Sequence, residues 1–343
     1  MPIELDGPEI FGLHKVFKRL SVLTVTVVAA AFFAWSGLAR AGVPADANVP
    51  VAPADPNAPP AIGERQNLTD ANDPNSSAPV PERVEFNRKC AYILGQVVTE
   101  DGLVDYRQLK YKRVHMFALL SELQTLDRAQ YESWTKAEQM AFWINAYNIE
   151  KLWLIMNNFP IESTRWDRLF KWGPHDIRHI EKNVGGIDIQ KFIIMDEEYT
   201  FRAIDRRLRT DFDDPRVFLA LSWASLGGPP LRPGPYYGYK LDAQLDEQVR
   251  RYLSSPRAFH IDRDKKKVEL SYLFNPNMYG KTFAGKYSTD RKFKDHPADV
   301  RAVLNFVSGC VSDYDRTFLE TESYSIEDIT YDWTINDVSQ AHQ

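Results

Sequence analysis

The chain has 343 residues, with 42 Lys and Arg against 47 Asp and Glu, a formal net charge of −5 and 44% hydrophobic residues. There is ample apolar material for a buried core, and the mildly acidic balance without a basic block gives no electrostatic footprint for nucleic acid and argues equally against adhesion to anionic lipid. Neither of the two cysteines, Cys90 and Cys310, lies in a Cys-x-x-Cys, which leaves a thioredoxin-like redox role little support.

Residues 1–41 read as a secretory leader. Lys15, Lys18 and Arg19 precede the apolar run Leu20 to Leu38, and Ala39-Arg40-Ala41 follows it, the order of a cleavable signal peptide. An uncleaved anchor is the competing reading, because the run is just long enough to span a thin bilayer. In both cases the remainder is expected outside the cytosol, periplasmic or extracellular, and membrane contact is expected only through an uncleaved leader. Cleavage would leave a formal charge of −6. In that compartment a Cys90–Cys310 disulfide can persist; two unpaired thiols are the alternative.

Residues 42–82 hold nine prolines and no aromatic residue. Such a segment cannot bury enough apolar area to offset its ordering entropy and is expected to be a disordered tether. The globular domain is placed at 83–337, with 338–343 a disordered tail.

Within the domain, apolar spacing predicts helices over Glu85–Val98, Val114–Thr125, Thr200–Leu208, Leu241–Leu253 and Ala298–Val307. The strongest helical pattern covers Lys136–Asn157. It is apolar nearly all round, as a buried helix is, so Asn145 and Asn148 must find hydrogen-bond partners inside the protein. A hairpin is expected around Val184–Ile193, a buried strand over Arg216–Ser222, a strand over Lys267–Leu270 and a closing strand over Ile329–Trp333. Helices outnumber strands, giving a single compact α+β domain.

Four ordered segments carry a family resemblance: Asp101 to Tyr106 (Asp-Gly-Leu-Val-Asp-Tyr), Ala141 to Asn148 (Ala-Phe-Trp-Ile-Asn-Ala-Tyr-Asn), Arg216 through Leu231 ending in Gly-Gly-Pro-Pro-Leu, and Tyr331-Asp332-Trp333. Leu241 to Asp246 fits the helix after the Pro-Pro loop. Over roughly Glu82 to Asp337 the chain resembles the bacterial and plant family known as domain of unknown function 547. The resemblance implies a compact α+β fold, distantly similar to papain-like thiol enzymes. The family's usual pattern has a histidine where this chain has Phe218, cysteines at Trp223 and Gly228, and Ile-Glu-His where it has Ile204-Asp205-Arg206. These replacements remove the thiol and imidazole that a thiolate nucleophile and its base require.

No catalytic residue is therefore assigned. A rebuilt serine site, Ser222 or Ser225 with His175 or His179 brought close by folding, is the hydrolase alternative (peptidase, amidase or esterase). His175 and His179 lack the His-Glu-x-x-His pattern of a zinc helix and read as surface histidines. Glu197, Glu198, Asp205, Asp211, Asp213 and Asp214, interleaved with arginines, read as a solvated face. The stiff loop Pro229 to Tyr239 offers Arg232, Tyr236 and Tyr237, with Trp223 and Ser225 at its head, as candidate ligand-binding residues. No cofactor and no metal are called for. The expected role is non-catalytic binding or scaffolding in the cell envelope, toward a peptide, glycan or protein. A purely structural protein without a ligand is the third reading.

Overall fold

A computed structural model describes residues 81–161, 173 and 175–340; the leader, and the tether up to residue 80, lie outside them. The described residues contain eleven α-helices and five β-strands, so the α+β architecture with helices in excess holds. In chain order these are α1 (Pro81–Val97), α2 (Tyr106–Tyr111), α3 (Arg113–Thr125), α4 (Arg128–Glu132), α5 (Lys136–Asn157), α6 (Arg178–Val184), β1 (Lys191–Ile194), β2 (Glu197–Thr200), α7 (Phe201–Asp211) and α8 (Leu241–Leu253). After them come β3 (Phe259–Asp262), β4 (Lys267–Ser271), α9 (Ala284–Tyr287), α10 (Ala298–Ser308), α11 (Asp313–Thr321) and β5 (Ser325–Ile329).

α5 is the axis of the core. Thr135 and Glu138 form a capping box at its start, satisfying two otherwise orphaned donors, and fourteen of its residues are buried. α1, α2, α3, α7 and α8 pack around it or one another. β3, β4 and β5 form a sheet in that order, antiparallel and then parallel.

Several sequence expectations are corrected. Arg216–Ser222 is no strand: Pro215–Leu219 is a 3-10 helix, because Asp214 caps it by accepting from the Arg216 backbone N–H and Pro215 is preset for a first helical turn. The hairpin lies later than expected, at β1–β2, since α6 runs to Val184 and ends on Gly185 in the left-handed region. Its two-residue turn, Met195-Asp196, has both φ angles positive, a geometry usually signalled by Asn-Gly. Here tertiary bonds fix it, as Met195 and Asp196 donate their N–H groups to the Leu123 and Gln124 carbonyls of α3. The last strand is Ser325–Ile329, not Ile329–Trp333.

The expected tail is partly ordered as well. Val338–Gln340 forms a 3-10 turn with Gln340 buried, while 341–343 lie outside the described residues. Residues 332–338 instead act as a connector. Ile335 N–H donates to His175 O, Asn336 N–H to Ala224 O and Val338 N–H to Val104 O, so one extended segment fastens three distant parts of the chain. Cys90 is buried, Cys310 is half-buried, and both are free, so the disulfide alternative does not hold.

Candidate functional site

The segment that would carry the thiol chemistry is held by four side-chain amides. Asn148 Nδ2 donates to Ala220 O at 2.9 Å, and the Ser222 N–H donates back to Asn148 Oδ1 at 2.7 Å. Asn145 does the same with both backbone groups of Tyr236, each at 2.8 Å. From α8, Gln244 accepts from the Tyr237 N–H and donates to Pro235 O, while Gln248 donates to Leu219 O and Pro230 O. A Pro-rich loop cannot pair with itself as a helix or sheet does, so buried amides supply its partners. The need of Asn145 and Asn148 for partners follows from their place on a helix apolar nearly all round, whereas nothing in the sequence marks Gln244 and Gln248.

Arg216 fixes the near end. It is 7% exposed and binds Asp214, Asp242 and Asp246. Burial pushes the Asp214 carboxyl up, but the hydrogen bonds and charge of Arg216 outweigh it and hold the carboxyl below its usual range.

Past the clamp, the positions where the resemblance implies histidine and cysteine are filled by a row of rings. Phe218 stacks on Tyr279 with centroids 4.3 Å apart and planes 10° from parallel. Trp223 meets Tyr279 edge-on at 6.4 Å and lies 5.9 Å from Tyr331, which in turn lies 4.5 Å from Trp333. Arg209 lies over Phe218 and Tyr279 and is paired with Asp205, which also accepts from the Tyr279 hydroxyl. Gly228 completes the closure: a Cβ built on it would lie 2.7 Å from Trp223 Cβ, closer than real Cβ atoms approach. Ala224, next to Trp223, sits at φ 54° in the left-handed region, an uncommon position for a residue with a Cβ.

Among the described residues the serines have no base. Ser222 Oγ accepts from the Ala224 N–H, and Ser225 Oγ lies 2.8 Å from the Tyr331 hydroxyl. Among the described residues no histidine or carboxylate hydrogen-bonds to either. Burial raises Tyr331 and Tyr279 well above the usual phenol range, so both are neutral in ordinary solution. His175 is exposed, but His179 is corrected from surface to core: it is 1% exposed, with Nε2 2.8 Å from Gly173 O. No group of three or more potential metal ligands occurs among the described residues.

The candidate ligand-binding residues divide. Trp223 and Ser225 belong to the row: Ser225 is buried, while Trp223 is half-buried, with its Nε1 buried and without a partner among the described residues. Tyr236 cannot be displayed, being 2% exposed beneath Arg232, whose guanidinium pairs with Glu247. Tyr237 is half-buried, and of the loop's tyrosines only Tyr239 projects, at 59% exposed. Arg206, at the position of the resembled histidine, is exposed, while its neighbour Asp205 is the residue that reaches the row. Tyr279 has no signal in the sequence, since nothing in Asn275-Pro-Asn-Met-Tyr279 marks a partner for Phe218.

No curated protein and no solved structure matches the chain, and the distant papain-like relation finds no support there. A family model does match residues 131–253, from within α4 to the end of α8. That span holds the second and third resembling segments and the amide clamp, but neither Asp101–Tyr106 nor Tyr331–Trp333, so Tyr279 and Tyr331 are partners from outside it. Over this stretch the chain resembles the family described as "Protein of unknown function, DUF547".

Proposed function

We propose that this is an exported, non-catalytic binding or scaffolding protein of the cell envelope, whose partner is an envelope peptide, glycan or protein. The observation that carries the reading is the row Phe218–Tyr279–Trp223–Tyr331, which fills with packed rings the place where the resemblance implies a histidine and cysteines. A thiolate or serine mechanism needs a nucleophile and an adjacent base open to a substrate; here Ser225 is 4% exposed and bonded to a neutral phenol. Export rests on the basic, apolar and Ala-x-Ala order of residues 1–41.

The test is a turnover screen of the chain against peptide, amide and ester substrates, with serine- and thiol-directed covalent probes alongside. The expected result is no hydrolysis above the blank and no label within residues 215–238. Hydrolysis that Ser225→Ala abolishes would overturn the reading in favour of a hydrolase with a rebuilt site.

A further inference from the structure

The surface of α1–α3 is unlike the rest of the described molecule. Of its eight exposed large hydrophobic residues, four lie here: Tyr111 at 90%, Val114 at 77%, Phe117 at 52% and Tyr92 at 47%. Interleaved with them are Arg107, Lys110, Lys112 and Arg113, and residues 106–121 contain no acid. Elsewhere many of the bases pair with carboxylates, yet none of these four has one within ion-pair distance among the described residues.

For three of them the partners are rings and a carbonyl. Arg113 lies over Phe117 and Trp153, Lys112 over Tyr92, and Lys110 donates to Phe159 O. Beside them is a 370 Å³ cavity whose lining combines the apolar Ile93, Ala118 and Tyr92 with Arg88, Lys89 and His115. Of the acids nearby, Glu85 and Glu122 are taken up by Arg88 and Lys89, and Asp105 caps α2 by accepting from the Gln108 N–H.

We infer that this face docks on an anionic lipid surface, with Tyr111, Val114 and Phe117 entering the headgroup boundary and Arg107, Lys110, Lys112 and Arg113 meeting lipid phosphates. Projecting aromatic residues among bases with long aliphatic stems suit that boundary, where one end of a side chain is apolar and the other wet. Charge complementarity selects the lipid: four cations without a carboxylate partner among the described residues, three of them exposed and Lys112 half-buried, gather on one face of a chain that is acidic as a whole. The net charge, which argued against anionic lipid, averages this grouping away. The inference does not depend on the proposed non-catalytic role.

The experiment is co-sedimentation of the full chain with phosphatidylcholine vesicles with or without about one-third phosphatidylglycerol, in low and in high salt. The apolar run 20–38 would insert into both compositions, so the difference between them is the readout. Stronger binding to the anionic vesicles, weakened by salt, is expected. At roughly fivefold per base near the surface, Lys112→Glu with Arg113→Glu should lower that binding by more than about 25-fold, and Tyr111→Ser with Val114→Ser should also weaken it. Lys292→Glu with Lys294→Glu, the same charge change elsewhere, should leave it unaltered. Equal binding to both compositions, an equal loss in the Lys292/Lys294 control, or self-association through this face without lipid binding would each overturn the inference. Circular dichroism and thermal midpoints confirm that each variant is folded.

Discussion

The row around Trp223 and the face of α1–α3 are built from the same materials, aromatic rings with an arginine laid across them, yet they relate to water in opposite ways. At the row, Arg209 covers Phe218 and Tyr279 while Asp205 takes its charge, and buried amides hold the backbone beneath. On the outer face, Arg113 covers Phe117 and Trp153 with no carboxylate among the described residues to receive it, and Tyr111 stands in solvent. The difference is in the polar partners. Where the fold supplies them, rings close a site; where it does not, rings and charges remain available to something outside the chain.

The sharpest way to separate the two regions is by pH, because the interior carries an ionisable exception. Glu150 on α5 is 4% exposed, and burial pushes its carboxyl from 4.5 up to about 8. Between those values the folded protein holds a proton that the unfolded chain has released, so stability falls as pH rises from about 4.5 to about 8. At about 1.4 kcal/mol per unit, the loss approaches ~5 kcal/mol. Lys151 acts in the opposite sense above that window: burial lowers it from 10.5 to about 8, so its contribution returns as pH rises between them. Urea midpoints at about pH 5 and about pH 8 should therefore fall in the native chain, with much of the fall absent in Glu150→Gln. An equal fall in both chains would refute the assignment to Glu150.

The amide clamp gives the next largest effect. Asn148→Ala strands the Ala220 carbonyl and the Ser222 N–H in the interior, at about 1–3 kcal/mol for each unpaired group. Lys112→Ala on the outer face should change stability by less than about 0.5 kcal/mol. Thermal melts of the two variants measure the contrast directly, and comparable losses would mean that the outer face is as integral to the fold as the clamp.

What could be read beforehand follows the range of the interactions. α5 and α8 were legible to their end residues, because helical periodicity is local and α5 adds a capping box at Thr135. The demand of Asn145 and Asn148 for partners was legible too, from their place on a helix apolar all round. The partners were not: Tyr236 and Ala220 lie 91 and 72 residues away along the chain. The strand expected at Arg216 failed because a continuous apolar run has no period, and the decision fell to Asp214, Pro215 and the two further carboxylates that bind Arg216, Asp242 and Asp246. Tyr279 and Tyr331 sit in irregular segments, where no pattern marks a ring as belonging to Phe218 or Trp223. The run from Arg107 to Arg113 was open to view in the sequence, but a net charge taken over the whole chain concealed it.

Gly228 tests whether the closed row belongs to the side chains or to the backbone beneath them. A Cβ there would meet Trp223 Cβ at 2.7 Å and the Tyr331 hydroxyl at 3.1 Å, so Gly228→Ala should cost about 1–3 kcal/mol through overpacking. The nearest clash is with a Cβ, not with the indole. Trp223→Ala keeps that Cβ, so Gly228→Ala should cost nearly as much in its background, whereas Trp223→Gly removes it and should relieve most of the cost. Denaturant midpoints of the two double-mutant cycles decide the matter. Relief by Trp223→Ala would place the closure in the indole. Relief by Trp223→Gly alone would place it in the loop, and a cysteine pair at 223 and 228 would then require a different backbone as well as different side chains.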